Sequence, residues 1–508
     1  MNRNMETTTD LAQAPRREPV DLKIYVNGEW SEGTGTTLVS ANPSRPGEIV
    51  AHGAEAVASD VRAAMAAARS AARGWARTPM HERGGVLVRA AGHLEANAEA
   101  WGLELAREEG KTLAEGIGEV VRAAQILRYY GNEGDRPAGE VFQSPRRGER
   151  ILVTRRPLGV VGVITPFNFP IAIPAWKIAP ALIYGNTVVF KPASLVPLLA
   201  MRLVQALEAA GLPPGVLNLV FGSGELGNEL VEHPDLDGLT FTGSTGVGRT
   251  LSGKAALRGI PVQAEMGGKN AAIVLADADL ELAVDQVLFG AFRSSGQKCT
   301  ATSRLILQEE IADVFLERLQ SRLQEWVVGD PADPATHMGP VVSASAAEEI
   351  RAGIRTALDQ GAKLVCGSTP DPAGSEACQT AGSFLAPSVL EVPAGNAAEN
   401  IAWREELFGP VLAVRRAADV QDAFDLANES EFGLSAAVFT QDATRILDAL
   451  DELDVGILHI NSESAGADPH VPFGGTKKSG YGPKEQGSAA REFFTHTTTV
   501  YLRGGIPA

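Results

Sequence analysis

The chain has 508 residues, 44% of them hydrophobic and 21% charged, which is enough apolar material for several cores and two or three domains. Its 45 Lys and Arg stand against 62 Asp and Glu, a formal charge of −17, and no basic run is long enough to follow a phosphate backbone, so nucleic acid is excluded as a natural partner. Three cysteines without CxxC or Cys/His ligand spacing argue against a disulfide framework and a metal site, and fit a reducing, cytoplasmic location.

Taken in chain order, residues 1–20 are polar with no apolar h-region, and read as a disordered tail instead of a signal peptide. Lys23 to Trp30 alternates around Asn27-Gly28, a hairpin signal, and Ser59-Asp60 caps an Ala-rich helix that runs to about Arg77. More helix follows from His81 to Gly110. Gly139 to Arg155 predicts a hairpin turning around Arg146-Arg147-Gly148. Pro157 to Trp176 is free of charge and long enough to cross a bilayer, yet Pro157, Pro166, Pro170 and Pro174 would break a spanning helix. It is predicted as buried strand and loop, with no membrane partner.

Asn186 to Lys191 reads as a strand buried on both faces, followed by a helix around Pro197 to Gly211. Val216 to Phe221, Leu239 to Thr242 and Ala271 to Val274 continue the alternation of strand and helix. The second half repeats it through Leu305 to Leu323, Lys363 to Cys366, Val411 to Arg415 and Gly456 to Asn461, and Phe493 to Leu502 adds a strand near the C-terminus. Such an order predicts an α/β protein with mainly parallel sheets and right-handed crossovers. An isolated hairpin is marginal in water, so 139–155 and the terminal strand are expected to pair with each other or with another subunit.

Cys299, in Ser294-Ser295-Gly296-Gln297-Lys298-Cys299-Thr300-Ala301, is a candidate nucleophile, because a thiolate attacks carbonyl carbon readily. Alone, such a cysteine is more often a small buried hydrophobe. Glu265 precedes Met266-Gly267-Gly268, whose glycines permit close approach, so its carboxylate is a candidate to activate water; an isolated Glu is more often a surface or helix-end acid. Asn168, between prolines and aromatics in Pro166-Phe167-Asn168-Phe169-Pro170, has an NH2 suited to an oxyanion, while the ordinary fate of such an Asn is a turn. Phe241-Thr242-Gly243-Ser244-Thr245-Gly246-Val247-Gly248 joins a strand to a helix, where backbone N–H groups accept phosphate, although it is not GxGxxG. Lys191, at its strand end, could reach ribose or phosphate oxygens or simply meet solvent.

Together these motifs resemble the aldehyde dehydrogenase superfamily over nearly the whole chain, from about Lys23 to Leu502. The resemblance implies a Rossmann-like cofactor domain (21–138 and 156–264), an α/β catalytic domain (265–464) and a small β oligomerisation element (139–155 and 485–503) of a homodimer or homotetramer. It implies Cys299 as nucleophile, Glu265 as general base and Asn168 as oxyanion donor with the Cys299 N–H. It places Ile164, Thr165, Phe167, Lys191, Ser194, Gly224, Phe241, Gly243, Ser244, Val247, Glu406 and Phe408 along NAD or NADP, and Arg293, Trp176, Thr300, Ser464 and Phe473 around the aldehyde. No metal is implied.

Two positions bear on selectivity. Family members that prefer NAD commonly carry Glu three residues beyond the lysine matching Lys191; here that position is Ser194, which points to NADP, or is merely a helix N-cap. Arg293 lies six residues before Cys299, where succinic semialdehyde dehydrogenases carry a carboxylate-binding arginine, so a distal acid on the substrate is implied, with a structural arginine as the alternative. Phe292 to Arg304, Asn461 to Gly466 and the tail from Glu485 to Thr495 resemble the 2-oxoglutarate semialdehyde (2,5-dioxopentanoate) dehydrogenases. Succinic or glutaric semialdehyde, a broad-specificity enzyme and a non-enzymatic protein on the same fold are the competing readings.

Overall fold

A computed structural model describes residues 18–367, 382–396 and 399–504. Cys378 and residues 1–17 of the expected tail lie outside them. The tail ends sooner than expected, since Val20–Asp21 already forms a strand beside Ile49–Ala54.

Two sheets organise the molecule. The first has eight strands in the order Gly480–Tyr481, Val262–Glu265, Gly238–Thr242, Val160–Ile164, Thr187–Lys191, Leu217–Leu219, Ile24–Val26 and Glu29–Ser31. Its five central strands are parallel, and Val-Val-Gly-Val-Ile and Thr-Val-Val-Phe-Lys are buried at every position, as strands covered by helices on both faces must be. The Lys23 to Trp30 hairpin takes one edge as expected. From Val160–Ile164 the chain first builds toward Leu217–Leu219, then returns to place Gly238–Thr242 on the other side. That reversal opens a crevice at the strand ends, where such folds bind ligands.

The chain leaves the first sheet at Glu265 and enters the second at Asn270. The second sheet has seven strands in the order Lys363–Cys366, Ser388–Glu391, Val411–Ala417, Thr302–Gln308, Asn270–Val274, Ser435–Phe439 and Ile457–Ile460. All pairs are parallel except the first. Apolar clusters pack on both of its faces, one around Ile306, Val411 and Phe424, the other around Phe292, Leu305 and Phe315. A third, antiparallel sheet joins Gly139–Gln143, Glu149–Pro157 and Thr495–Arg503, and leaves Val141, Phe142, Tyr501 and Leu502 exposed.

Three local expectations need correction. The Ala58–Arg77 helix is capped at Val57, whose N–H donates to Asp60 Oδ2 at 2.8 Å, so Asp60 serves from the first turn and Ser59 does not cap. The Pro157 to Trp176 stretch is strand and turn only as far as Ile171; a fully buried helix, Ala172–Ile183, begins there and accommodates Pro174 in its first turn. The strand expected from Phe493 starts at Thr495, after a helical turn over Ala490–Phe494. No helix among the described residues is long and apolar enough to cross a membrane.

Candidate active site

Cys299 follows a strained loop. Ser294 and Ser295 both adopt left-handed backbone, with φ of 53° and 55°, which non-glycine residues hold only when their surroundings fix them. Glu115 Oε1 accepts the Ser294 N–H at 2.8 Å and its hydroxyl at 3.1 Å, and Ser295 Oγ donates to Gly339 O at 2.8 Å and Pro340 O at 3.0 Å. Gln297 Oε1 accepts the Val342 N–H at 3.0 Å. At Gly296 a Cβ would stand 2.2 Å from Gly409 O, so the loop requires glycine there.

Cys299 itself is pinned from the second sheet. Asn270, at the start of its strand, donates through Nδ2 to the carbonyls of Cys299 and Ala301, each at 2.8 Å. Burial, with Glu406, Glu265 and Glu485 nearby, pushes the Cys299 thiol far above its usual range, opposed by the Thr300 N–H, which donates to the sulfur. The resting side chain is therefore a thiol.

Asn168 comes from the opposite wall, in the turn after Val160–Ile164. Its side chain is buried, and Nδ2 donates to Gln297 O at 2.8 Å; an amide NH2 carries a second proton for another acceptor. Glu265 ends the Val262–Glu265 strand, with Oε2 accepting the Gly475 N–H at 3.2 Å. Burial first and the charge of Glu485 second push its carboxyl well above the ordinary carboxylate range, against the pull of Lys484 and Lys177. Lys177 pairs with Glu485 and donates to Thr240 Oγ1 at 2.9 Å. The sequence thus brings Cys299, Asn168 and Glu265 to one place from three separate segments.

A cavity of about 290 Å³ opens onto Cys299, with Thr300, Arg293, Trp176, Phe169 and Phe473 among its other lining residues. Trp176 and Phe473 pack with ring centroids 5.5 Å apart. Arg293 is half exposed, lies over the Phe289 ring at 3.9 Å, and reaches Glu463 only at 3.7 Å. Ser464 does not belong to the lining: it is fully buried, and its hydroxyl bonds to Thr300 O and Thr302 Oγ1, each at 2.8 Å, behind the wall. Lys111, Glu115, Glu119, Arg122 and Glu463 also line the cavity. Glu463 lay in the Asn461 to Gly466 string without being singled out as a site residue, and the other four lie just past the helix predicted to end at Gly110, where charge was their only signal.

On the other side of Cys299, the crevice of the first sheet gathers the expected cofactor residues. Ile164, Thr165 and Phe167 lie at or just past the end of one strand, Phe241, Gly243 and Ser244 at or just past the end of its neighbour. Helices beginning at Gly224 and Thr245 point their N-termini into the same region, with open space around Gly224 and Gly246 and an exposed Val247. Lys191 is buried, which pushes its ammonium down to about 8 against the pull of Glu55. Ser194 is not a helix cap: the Leu198–Ala209 helix starts after Pro197, and Ser194 Oγ donates to Gly222 O at 2.8 Å. Glu406 Oε1 accepts the Gly268 N–H at 3.0 Å, and burial raises its carboxyl to about 7. Phe408, at φ 51°, meets the edge of Phe167 at 5.7 Å between centroids.

Comparison with known proteins agrees with this geometry. Residues 30–500 match the model of the aldehyde dehydrogenase family. The chain is 42% identical to the alpha-ketoglutaric semialdehyde dehydrogenase of Bacillus subtilis (strain 168) over 481 residues, covering 94% of this chain and 97% of that protein. It is 37% identical to the 2,5-dioxopentanoate dehydrogenase of Saccharolobus solfataricus, covering 93% and 98%. The solved structure of an NAD-dependent aldehyde dehydrogenase from Sinorhizobium meliloti superposes with a TM-score of 0.92 at 34% identity, covering 98% of both chains.

Proposed function

The chain belongs to the aldehyde dehydrogenase family, and on that premise we propose that this NAD(P)-dependent oxidoreductase converts 2-oxoglutarate semialdehyde to 2-oxoglutarate. The observation that carries the substrate reading is the cavity over Cys299: aromatic walls for a short carbon chain, and in its lining an arginine that Glu463 holds only loosely at 3.7 Å. A fixed guanidinium is needed to draw a carboxylate into a protein of charge −17. The names of the Bacillus and Saccharolobus relatives support the same substrate.

The crevice fits a dinucleotide. Thr165 Oγ1 and Thr242 Oγ1 are buried there without a hydrogen-bond partner, two helix N-termini face it, and a buried lysine stands at its edge, as a pyrophosphate and ribose require. Lys191, Gly243, Ser244 and Val247 would hold the nucleotide, with Glu406 and Phe408 toward Cys299. When bound, the dinucleotide accepts the hydride released from the substrate carbon.

This chain's residues would work as follows. Cys299 gives its proton to solvent water and its sulfur bonds to the aldehyde carbon, while the carbonyl π pair moves onto oxygen. The second Asn168 N–H and the Cys299 N–H bind that oxyanion in the resulting thiohemiacetal. The oxygen pair re-forms C=O as hydride departs, leaving a thioester on Cys299. Glu265 then takes a proton from water, whose oxygen attacks the thioester carbon, and the C–S bond breaks to release the acid and the thiolate.

Steady-state rates on 2-oxoglutarate semialdehyde, succinic semialdehyde and hexanal test the substrate reading. Arg293→Ala should lower kcat/KM for the two acids by about tenfold to a hundredfold, the range of one charge-assisted hydrogen bond, and leave hexanal unchanged. Equal losses on all three would refute a carboxylate site.

For the cofactor we favour NADP, because a neutral hydroxyl at Ser194 does not repel a 2′-phosphate; it would exchange its bond to Gly222 for one to that phosphate. Ser194→Glu should raise the KM for NADP roughly tenfold or more and spare that for NAD; an unchanged ratio would place the selectivity elsewhere. The same reading assigns 21–138 and 156–264 to the cofactor, 265–464 to catalysis, and 139–155 with 485–503 to assembly of a cytoplasmic homodimer or homotetramer. The exposed Val141, Phe142, Tyr501 and Leu502 support that last assignment.

A further inference from the structure

The turn between the helices Ala98–Glu109 and Leu113–Gly131 drives a lysine into the active site. Gly110, at φ +97°, ends the first helix, and a Cβ on it would stand 2.9 Å from the Pro340 ring, so the chain reverses there and buries Lys111. Lys111 Nζ pairs with Glu119 Oε2 at 2.7 Å, stands 3.6 Å from Glu109, and lies 4.2 Å from the centre of the Phe169 ring. Its remaining contact is a hydrogen bond of 2.8 Å to the backbone carbonyl of Asn168.

Glu119 grips the other end of the same turn. Its second oxygen, Oε1, accepts the N–H groups of Ile171 and Ala172, both at 3.1 Å, where the buried helix begins. One turn earlier on the same helix, Glu115 holds Ser294 of the nucleophile loop, and its other oxygen accepts the Thr112 N–H at 3.0 Å and hydroxyl at 2.9 Å. The first two turns of Leu113–Gly131, with Lys111 two residues before them, thus touch both reacting segments. Glu115 and Glu119, four residues apart, share one face of that helix, the first holding the loop to Cys299 and the second the segment after Asn168.

We propose that Lys111 and Glu119 are positioning residues that clamp the Asn168 turn on the helix whose Glu115 anchors the Cys299 loop, thereby setting the distance between oxyanion donor and nucleophile. The inference rests on the roles proposed above for Asn168 and Cys299. Burial raises the Glu109 carboxyl to about 8, and the closest ion pair of Lys111 is with Glu119 at 2.7 Å. Oxyanion stabilisation is sensitive to such spacing, since a misplacement of ~1 Å can cost about a hundredfold in rate.

The test separates positioning from charge balance and from general disorder. Lys111→Met leaves Glu119 without its cation, while Lys111→Met combined with Glu119→Gln removes both charges and still leaves the Asn168 carbonyl without a donor. In the full-length double variant, melting temperature should recover relative to Lys111→Met, and iodoacetamide should alkylate Cys299 at the native rate, because that displacement uses no oxyanion. The single-turnover hydride burst should stay about a hundredfold slow. Recovery of the burst together with the melting temperature would reduce the pair to charge balance, and alkylation slowed in parallel with the burst would indicate a loosened site; either overturns the proposal. If the double variant does not fold, Lys111→Arg asks the same question by keeping the charge and displacing the donor, and a native burst there would overturn it. Asn168→Ala is the control: a native burst in that variant would instead sink the assigned role of Asn168.

Discussion

Replacing Cys299 with alanine should abolish hydride transfer while leaving the fold intact. The loss should be on the order of 10⁴-fold to 10⁶-fold in kcat, the range found when a covalent nucleophile is removed. The fold should survive because the contacts that hold this position are made by its backbone: Asn270 binds the Cys299 carbonyl at 2.8 Å whatever the side chain. Melting temperature and NAD(P) binding, read by protein fluorescence, should therefore match the native protein, while absorbance of the reduced dinucleotide stays flat even in a single turnover. A burst in the alanine variant would mean that the aldehyde is oxidised without a thioester. The native protein adds a pH signature. The thiol is held far above its ordinary range by burial and by Glu406, Glu265 and Glu485, and the reactive form is the deprotonated one. Iodoacetamide alkylation should accordingly rise continuously from pH 6 to pH 9 without levelling off.

Why these three residues were legible, and their supports were not, follows from where each signal resides. Cys299, Glu265 and Asn168 each sit in a short string of glycines, prolines or aromatics that constrains its own backbone, so the local sequence marks them as candidates. The parallel strands were legible for a similar reason, since a β-branched run buried on both faces, such as Thr187 to Lys191, looks like little else. Lys111 works through a carbonyl 57 residues away, and Glu115 through a loop 179 residues away; such contacts leave no spacing to read. The Ala172–Ile183 helix was hidden by its own environment, because every position is buried and no apolar stripe remains to reveal the helical period. The helix-cap alternative for Ser194 and the place of Ser464 in the cavity lining failed in another way. A hydroxyl suits many partners, and the sequence cannot say that one would be spent on Gly222 O and the other on Thr300 O.

Glu265→Gln should divide the reaction in two. Thioester formation asks nothing of the Glu265 base in the proposed mechanism, so one equivalent of reduced dinucleotide should still appear in a rapid burst. Turnover should then fall by about 10²-fold to 10⁴-fold, the usual contribution of a general base, and intact-protein mass spectrometry should find the acyl group on Cys299. The amide keeps an oxygen for the Gly475 N–H, now at 3.2 Å, so the site should not collapse. The pH dependence sharpens the expectation. Burial and the neighbouring Glu485 raise this carboxyl well above the ordinary range, so a larger share of molecules holds it protonated, and unable to accept a proton from water, than for an exposed glutamate. Deacylation acts through the ionised form, and its rate should climb as pH rises toward the raised value and fall on acidification. That climb should vanish from the deacylation rate of the glutamine variant, in which nothing titrates at position 265. Equal loss of burst and turnover would refute the division of roles, for it would mean that the same carboxylate also draws the proton from Cys299 before the first bond forms.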